Sequence, residues 1–407
     1  MSEIPVAAPR YPGPFDAAVC CYPQKEYGVA RVQRALQEMA GQLPGAWSWI
    51  RPGDRILIKP NLLRPSPSEE AIVTHPDVIE ATVRMLLDLR AEPIIAESPG
   101  GPHTFRMLER LYHRCGLKEV AERTGVVLNR DTATVAISHP SGRLVKHFEL
   151  IRPCAEADGL INLPKAKTHS FMLLTGAVKN LFGLIPGLKK PGYHATLRRP
   201  APFAEMLLDL LDLIGPRLTI MDGIVGMEGD GPSAGRPRRL GFLLMGRSAL
   251  YVDHAFSRLV GVDPREVPVL AGALERGWLR PSESIRFTGP DAWQGAGILD
   301  FQLPATLHLR VGLGALPFPD VCARLLANAC SLRPHVPPQD CEGCGVCLQN
   351  CPVGAISMSA GHAEIDHSRC IHCYCCHELC PEKIVELKGS WLYKLLRPFS
   401  GHQAPLH

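Results

Sequence analysis

Eight cysteines near the C-terminal end fall into two copies of the spacing C-x2-C-x2-C-x3-C-P. The first is Cys341, Cys344, Cys347 and Cys351 before Pro352, and the second is Cys370, Cys373, Cys376 and Cys380 before Pro381. Thiolates are soft ligands that suit iron–sulfur iron, and the short intervals let three sulfurs reach one cube from a single tight turn. The spacing is the ligand set of two 4Fe-4S clusters, in which the fourth cysteine of each copy serves the other cube. One cluster is therefore expected on Cys341, Cys344, Cys347 and Cys380, and the other on Cys370, Cys373, Cys376 and Cys351. A structural zinc site closes with four ligands, usually as two separated pairs, and disulfides need an oxidising compartment for which the first thirty residues give no export signal. Cys375 breaks the spacing and reads as a spare thiol close to the cluster. His367, His372 and His377 flank the second motif and read as surface.

A second group of chemically suggestive residues lies upstream. Between Lys165 and Arg199 stand seven Lys or Arg residues (Lys165, Lys167, Lys179, Lys189, Lys190, Arg198, Arg199), two histidines and no Asp or Glu. A solvated face usually mixes both signs. A one-sign segment favours an anionic ligand such as a carboxylate or phosphate, or shields the charge of the clusters. Lys165, Lys167 and Lys179 are the candidates to hold that anion, and His169 or His75 could supply a proton.

These groups need a frame. At 407 residues, 46% hydrophobic and 21% charged, the chain is long enough for two or three domains with a sizeable core. Its formal net charge of +4, without a basic stripe interleaved with aromatics, gives no ground for nucleic-acid binding. The apolar stretches are too interrupted for a membrane span.

From Asp16 to about Gly289 short apolar runs alternate with helical periodicity, which predicts an α/β fold: a mainly parallel sheet covered by helices. Strands are expected over 17–21, 55–59, 93–97, 159–163, 218–222 and 241–245, and helices over 29–43, 77–89, 203–214 and 251–260. Two β-rich runs over 134–150 predict a hairpin. The organisation read from this pattern is an α/β domain over 1–289, a connecting segment over 290–337, a small α+β ferredoxin-type domain over 338–388 and a tail over 389–407.

In open α/β sheets, ligands bind beyond the carboxyl ends of the strands. There the expected strands release Lys59-Pro60-Asn61, Glu97-Ser98-Pro99-Gly100-Gly101, Pro164 to His169 as a loop, and Asp222-Gly223. The glycine-rich stretch 223–235 reads as a flexible lid over them.

At these residues the chain resembles a known family. The runs Lys59 to Leu63, Thr74-His75-Pro76, Glu97 to Gly100, Leu163 to His169, Thr175 to Asn180 and Gly229 to Pro232 are similar to the bacterial and archaeal family catalogued as domain of unknown function three-six-two. Many of its members carry a C-terminal pair of ferredoxin-type motifs. The resemblance implies an iron–sulfur protein and brings no reaction with it. It directs attention to Lys59, Asn61, His75, Glu97, Lys165, Lys167, His169, Lys179 and Asn180. No G-x-G-x-x-G follows the first strand, which weighs against a Rossmann-type nucleotide site.

The combined expectation is a cytoplasmic iron–sulfur oxidoreductase with two 4Fe-4S clusters. It takes electrons from or gives them to a redox partner protein, and serves an anionic small molecule held by Lys59, Asn61, Glu97, Lys165, Lys167, Lys179 and Asn180. Two other readings stand beside it: a non-catalytic electron carrier or adaptor for a protein partner, and structural or regulatory clusters on a transferase-like domain.

Overall fold

A computed structural model describes residues 17–279, 286–288, 297–298, 300–304 and 332–389. Cys322, Cys330 and the apolar tail around Trp391 lie outside the described residues, as does most of the expected connecting segment.

The strands, in chain order, are Ala18–Pro23 (β1), Arg55–Pro60 (β2), Glu92–Ile95 (β3), Val127–Leu128 (β4), Thr134–Ser138 (β5), His147–Ile151 (β6), Gly159–Leu163 (β7), Lys165–His169 (β8), Leu173–Thr175 (β9), Leu218–Glu228 (β10), Arg236–Gly246 (β11) and Arg286–Thr288 (β12). The main sheet runs β12-β1-β11-β10-β7-β2-β3-β4, with β8 on β10 and β9 on β8. Its centre is parallel, as the apolar runs Ile56-Leu57-Ile58 and Leu160 to Leu163 require: both faces of those strands are covered. β10 and β11 are an antiparallel pair, and β11 is antiparallel to β1 as well. β5 and β6 form the expected hairpin.

Alternate strand residues feed two cores. On one face Ile56, Ile58, Ile161 and Ile220 pack with helices Val29–Gln42 (α1), Pro76–Asp88 (α2), Phe105–Arg114 (α3) and Leu117–Thr124 (α4). On the other, Leu57, Leu160, Met221 and Phe242 pack with the later helices Ala177–Asn180 (α5), Pro200–Ile214 (α6), Ala249–Leu259 (α7) and Pro268–Glu275 (α8). The period of two along each strand sorts its side chains between the layers.

Two expectations change here. The run after Pro164 is a strand, not a loop, and all five residues of β8 are buried. The first part of the stretch read as a flexible lid, 223–228, is the end of β10. A Cβ on Gly223 would lie 2.1 Å from the Phe242 ring and one on Gly226 would lie 2.4 Å from Leu240. Those glycines serve close packing, not mobility.

The cysteine-rich segment is a small separate unit with its own core of Val336, Cys347, Ile356, Ala363, Cys376, Cys380 and Val385. Arg333–His335 (β13) pairs with Glu386–Lys388 (β16), and Ile356–Ser359 (β14) with His362–Ile365 (β15). Two short helices, Val346–Gln349 (α9) and Cys375–Leu379 (α10), lie side by side, and each carries the third cysteine of one motif copy, Cys347 and Cys376.

Candidate functional site at the junction of sheet and cysteine segment

The carboxyl ends of β2, β3 and β7 converge on a buried polar layer. Lys59 closes β2 and is fully buried, its Nζ 2.7 Å from Glu97 Oε2 and 2.7 Å from its neighbour's carbonyl, Pro60 O. Glu97 also accepts from the amides of Leu62 and Ser98. Burial pulls the Lys59 ammonium down and the Glu97 carboxyl up, each partly countered by the other.

The alternation of β8 puts Lys165, Lys167 and His169 on one face, yet they go to different places. Lys165 Nζ contacts Asp222 Oδ2 at 2.7 Å and Tyr27 Oη at 2.8 Å, and the Tyr27 ring stacks on His75 with centroids 3.6 Å apart. Lys167 forms no ion pair among the described residues: it donates to Asn61 Oδ1 at 2.6 Å and Ile72 O at 2.8 Å. Burial, with Lys179 and Lys165 nearby, holds its pKa well below the usual lysine range. His169 accepts at Nδ1 from the Phe171 amide, and its Nε2 faces Glu378 Oε1 at 3.4 Å.

Helix α5 exists because Asp253 caps it, accepting from Ala177 N at 2.5 Å and Val178 N at 3.0 Å. Gly176 before it admits this approach, since a Cβ there would lie 2.1 Å from Asp253 Oδ1. The helix presents Lys179 and Asn180. No protein hydrogen bond to Lys179 Nζ is found among the described residues. The ammonium lies 5.7 Å from the Phe182 ring centroid, and burial lowers its pKa against the opposing pull of Glu378.

Between this edge and the cysteine segment lies a pocket with about 720 Å³ of empty space, part of it open to solvent. Asn61, Glu97, Lys167, Lys179 and Asn180 line it from the sheet side, joined by Lys190 and His194; Asn350, Cys375, Glu378 and Leu379 line it from the other. Five expected site residues thus meet at one cavity. Lys59 stands behind Glu97 and His169 behind Glu378, while Lys165 and His75 share a separate cluster with Tyr27 and Asp222.

Sequence reasoning passed over Glu378 and Lys190. Burial pushes the Glu378 carboxyl up to about 7, offset by Lys179 and Lys167, and draws the Lys190 ammonium down to about 7. Lys190 Nζ donates to Ser98 O and Pro99 O. Its place in the one-sign segment was the available signal; Glu378 had none.

The two parts are stitched together around the pocket. Ser233 Oγ donates to Glu378 O at 2.6 Å, Arg64 Nη1 donates to Pro381 O at 3.2 Å, and Leu379 fits against Gly100.

The motif cysteines gather into two neighbourhoods. Cys341, Cys344, Cys347 and Cys380 line one mainly apolar pocket. Burial raises the Cys347 thiol to about 11, with Cys344, Cys380 and Cys341 beside it. Cys370 has Cys373 and Cys351 for neighbours, and Cys376 has Cys373 and Cys370. Among the described residues no three His, Cys, Asp or Glu side chains gather tightly enough to hold a single metal ion. Sulfurs spaced around a cavity suit a polynuclear cluster, and Cys351 Sγ accepts from Ala355 N at 3.1 Å, a contact of the kind that tunes cluster potential.

Comparisons with known proteins agree with this division. A family model described as Domain of unknown function (DUF362) matches residues 56–258, and one described as 4Fe-4S dicluster domain matches residues 340–384. Thylakoid-associated protein sll1697 of Synechocystis sp. is 30% identical over 304 residues, covering 70% of this chain and 90% of that protein. A component of the ion-translocating oxidoreductase complex of Methanosarcina acetivorans is 44% identical over 48 residues, 12% of this chain and 18% of that protein. Among solved structures, the lactate racemase apoprotein from Thermoanaerobacterium thermosaccharolyticum is 14% identical with a TM-score of 0.37, covering 62% of this chain and 59% of that one. A Thermotoga maritima protein is 13% identical with a TM-score of 0.35, covering 58% and 59%. No helix among the described residues is long and apolar enough to cross a membrane. The C-terminal segment is a ferredoxin-type domain of the 4Fe-4S class, whose role is iron–sulfur electron transfer, and the chain as a whole belongs to the DUF362 family.

Proposed function

We propose that this chain is a cytoplasmic iron–sulfur oxidoreductase that holds an anionic small molecule in the pocket between its α/β part and its ferredoxin-type part. Two 4Fe-4S clusters, on Cys341, Cys344, Cys347 and Cys380 and on Cys370, Cys373, Cys376 and Cys351, would supply one-electron transfer. A redox partner protein is oxidised and the bound molecule reduced. The observation that carries this reading is the composition of one pocket wall: Cys375, Glu378 and Leu379 come from the helix that also bears Cys376, and they face Lys167 and Lys179.

The chain's own groups divide the work. Lys179 offers a full set of N–H donors to an anion. Lys167 is held in place by Asn61 and Ile72, while Glu378 and Glu97 favour its charged form against burial. Such preorganised cations stabilise negative charge that develops on reduction. Lys59 and Glu97 neutralise each other and hold the strand ends together. Lys190 secures the loop carrying Ser98 and Pro99.

Anaerobic reduction of the cluster-loaded protein, followed by titration with small anionic acceptors, tests the reading. Reoxidation by at least one of them is expected. A reduced protein that no small molecule reoxidises, but a redox protein does, would leave only an electron carrier.

A further inference from the structure

Beyond its charge, the pocket lining holds buried acceptors with no hydrogen-bond donor among the described residues, Asn180 Oδ1, Asn350 Oδ1 and Glu378 Oε1, and the first of them stands beside Lys179. Asn180 donates through Nδ2 to Lys59 O at 3.1 Å and to Asn162 Oδ1 at 2.8 Å, and Asn162 is fixed in turn by donating to Ala177 O. Turning the Asn180 amide over would set its oxygen against two acceptors, so the network decides its orientation. The remaining atom, Asn180 Oδ1, is buried and has no donor among the described residues, and the residue is only 4% exposed. Asn180 lines the pocket beside Lys179, the preceding residue on the same short helix.

A cation with free donors therefore stands next to a buried amide oxygen that lacks one. A simple anion satisfies the first and leaves the second stranded. A ligand group that is both neutral and a donor completes the pair. An ammonium is disfavoured by Lys167, Lys179 and Lys190, and a hydroxyl is the smallest neutral group that donates. No arginine is among the lining residues, so the two-pronged geometry that suits phosphate is absent from the described lining.

We propose that the pocket takes a small hydroxycarboxylate, its carboxylate on Lys179 and its hydroxyl donating to Asn180 Oδ1. The proposal rests on the anionic-pocket reading above and narrows it to a substrate class. Leaving a buried acceptor unpaired typically costs about a factor of ten in affinity or more.

The test is anaerobic isothermal titration of the full-length, cluster-loaded protein with carboxylates matched in pairs: glycolate against acetate, malate against succinate, 3-hydroxybutyrate against butyrate. In at least one pair the hydroxylated member should bind about tenfold tighter or better. Asn180→Leu should abolish that difference, and Lys179→Met should weaken both members alike. Equal affinities within every pair overturn this inference and leave the anionic pocket standing. Failure of all six to bind, or binding that Lys179→Met does not affect, overturns both. The comparison in the unsubstituted protein stands even if Asn180→Leu does not fold.

Discussion

Glu378 Oε1 lies 3.4 Å from His169 Nε2 across the junction between the ferredoxin-type segment and the sheet, and neither atom has a hydrogen-bond partner among the described residues. His169 belongs to β8, inside the α/β part. Glu378 sits on α10, between Cys376 and Cys380. The helix that arranges sulfurs therefore also supplies a carboxyl to the pocket, so the electrostatics of the basic wall depend on the seating of the cysteine segment.

The first prediction concerns pH. Lys190 loses its proton, and Glu378 becomes charged, as pH rises through about 7. Both changes make the pocket less positive, so affinity for a carboxylate should fall between pH 6 and 8. Lys190→Arg keeps the cation, because guanidinium stays protonated, and Glu378→Gln removes the acid. Each substitution should reduce the slope, and the double variant should be nearly flat by calorimetry.

A second prediction tests the seam. A Cβ on Gly100 would come within 2.2 Å of Leu379 Cδ2. Leu379 must then leave its rotamer or the segment must shift, and such overpacking costs about 1–3 kcal/mol. Gly100→Ala should lower the unfolding free energy by that amount, shifting the denaturation midpoint down, and raise protease cleavage between the two parts. An unchanged midpoint and unchanged cleavage would show that the seam is loose.

The third follows from the register of the second motif. Cys375→Ala should keep its full iron and sulfide content, whereas Cys373→Ala and Cys376→Ala should lose iron. Loss in Cys375→Ala with retention in Cys376→Ala would reverse the ligand assignment.

A fourth prediction separates structure from chemistry. Lys165 and Asp222 are both fully buried and 2.7 Å apart. Removing one partner strands the other charge, at a cost of about 3–5 kcal/mol. Lys165→Met should therefore destabilise the fold strongly in denaturant titrations. Adding Asp222→Leu should recover part of the loss, because replacing a buried pair with apolar groups is far less costly than breaking it.

Much of this architecture was legible in particular residues. Runs such as Ile56-Leu57-Ile58 and Leu160 to Leu163 read as buried parallel strands because nothing charged interrupts them. Asn61, Glu97 and Lys167 were reached from the rule that strand ends gather ligands, Lys179 from the one-sign segment and Asn180 from the family resemblance. β8 was not legible: Lys165-Ala166-Lys167-Thr168-His169 looks like a solvated loop, and its burial depends on Asp222, Tyr27, Asn61 and Ile72, all distant in sequence. Gly223 and Gly226 read as flexibility because close packing against Phe242 and Leu240 leaves the same mark on a sequence. Glu378 gave no signal in the sequence, since its neighbours across the junction lie some two hundred residues away.

The central claim is that the pocket beside α10 is where electrons meet an anionic molecule. Stopped-flow reoxidation of the anaerobically reduced, cluster-loaded protein by small anionic acceptors tests it most directly, with Lys167→Ala/Lys179→Ala alongside. The account predicts an acceptor that reoxidises the unsubstituted protein and reacts at least about tenfold more slowly with the double variant, since two preorganised cations are removed. Equal rates in both proteins, at equal iron and sulfide content, would contradict it.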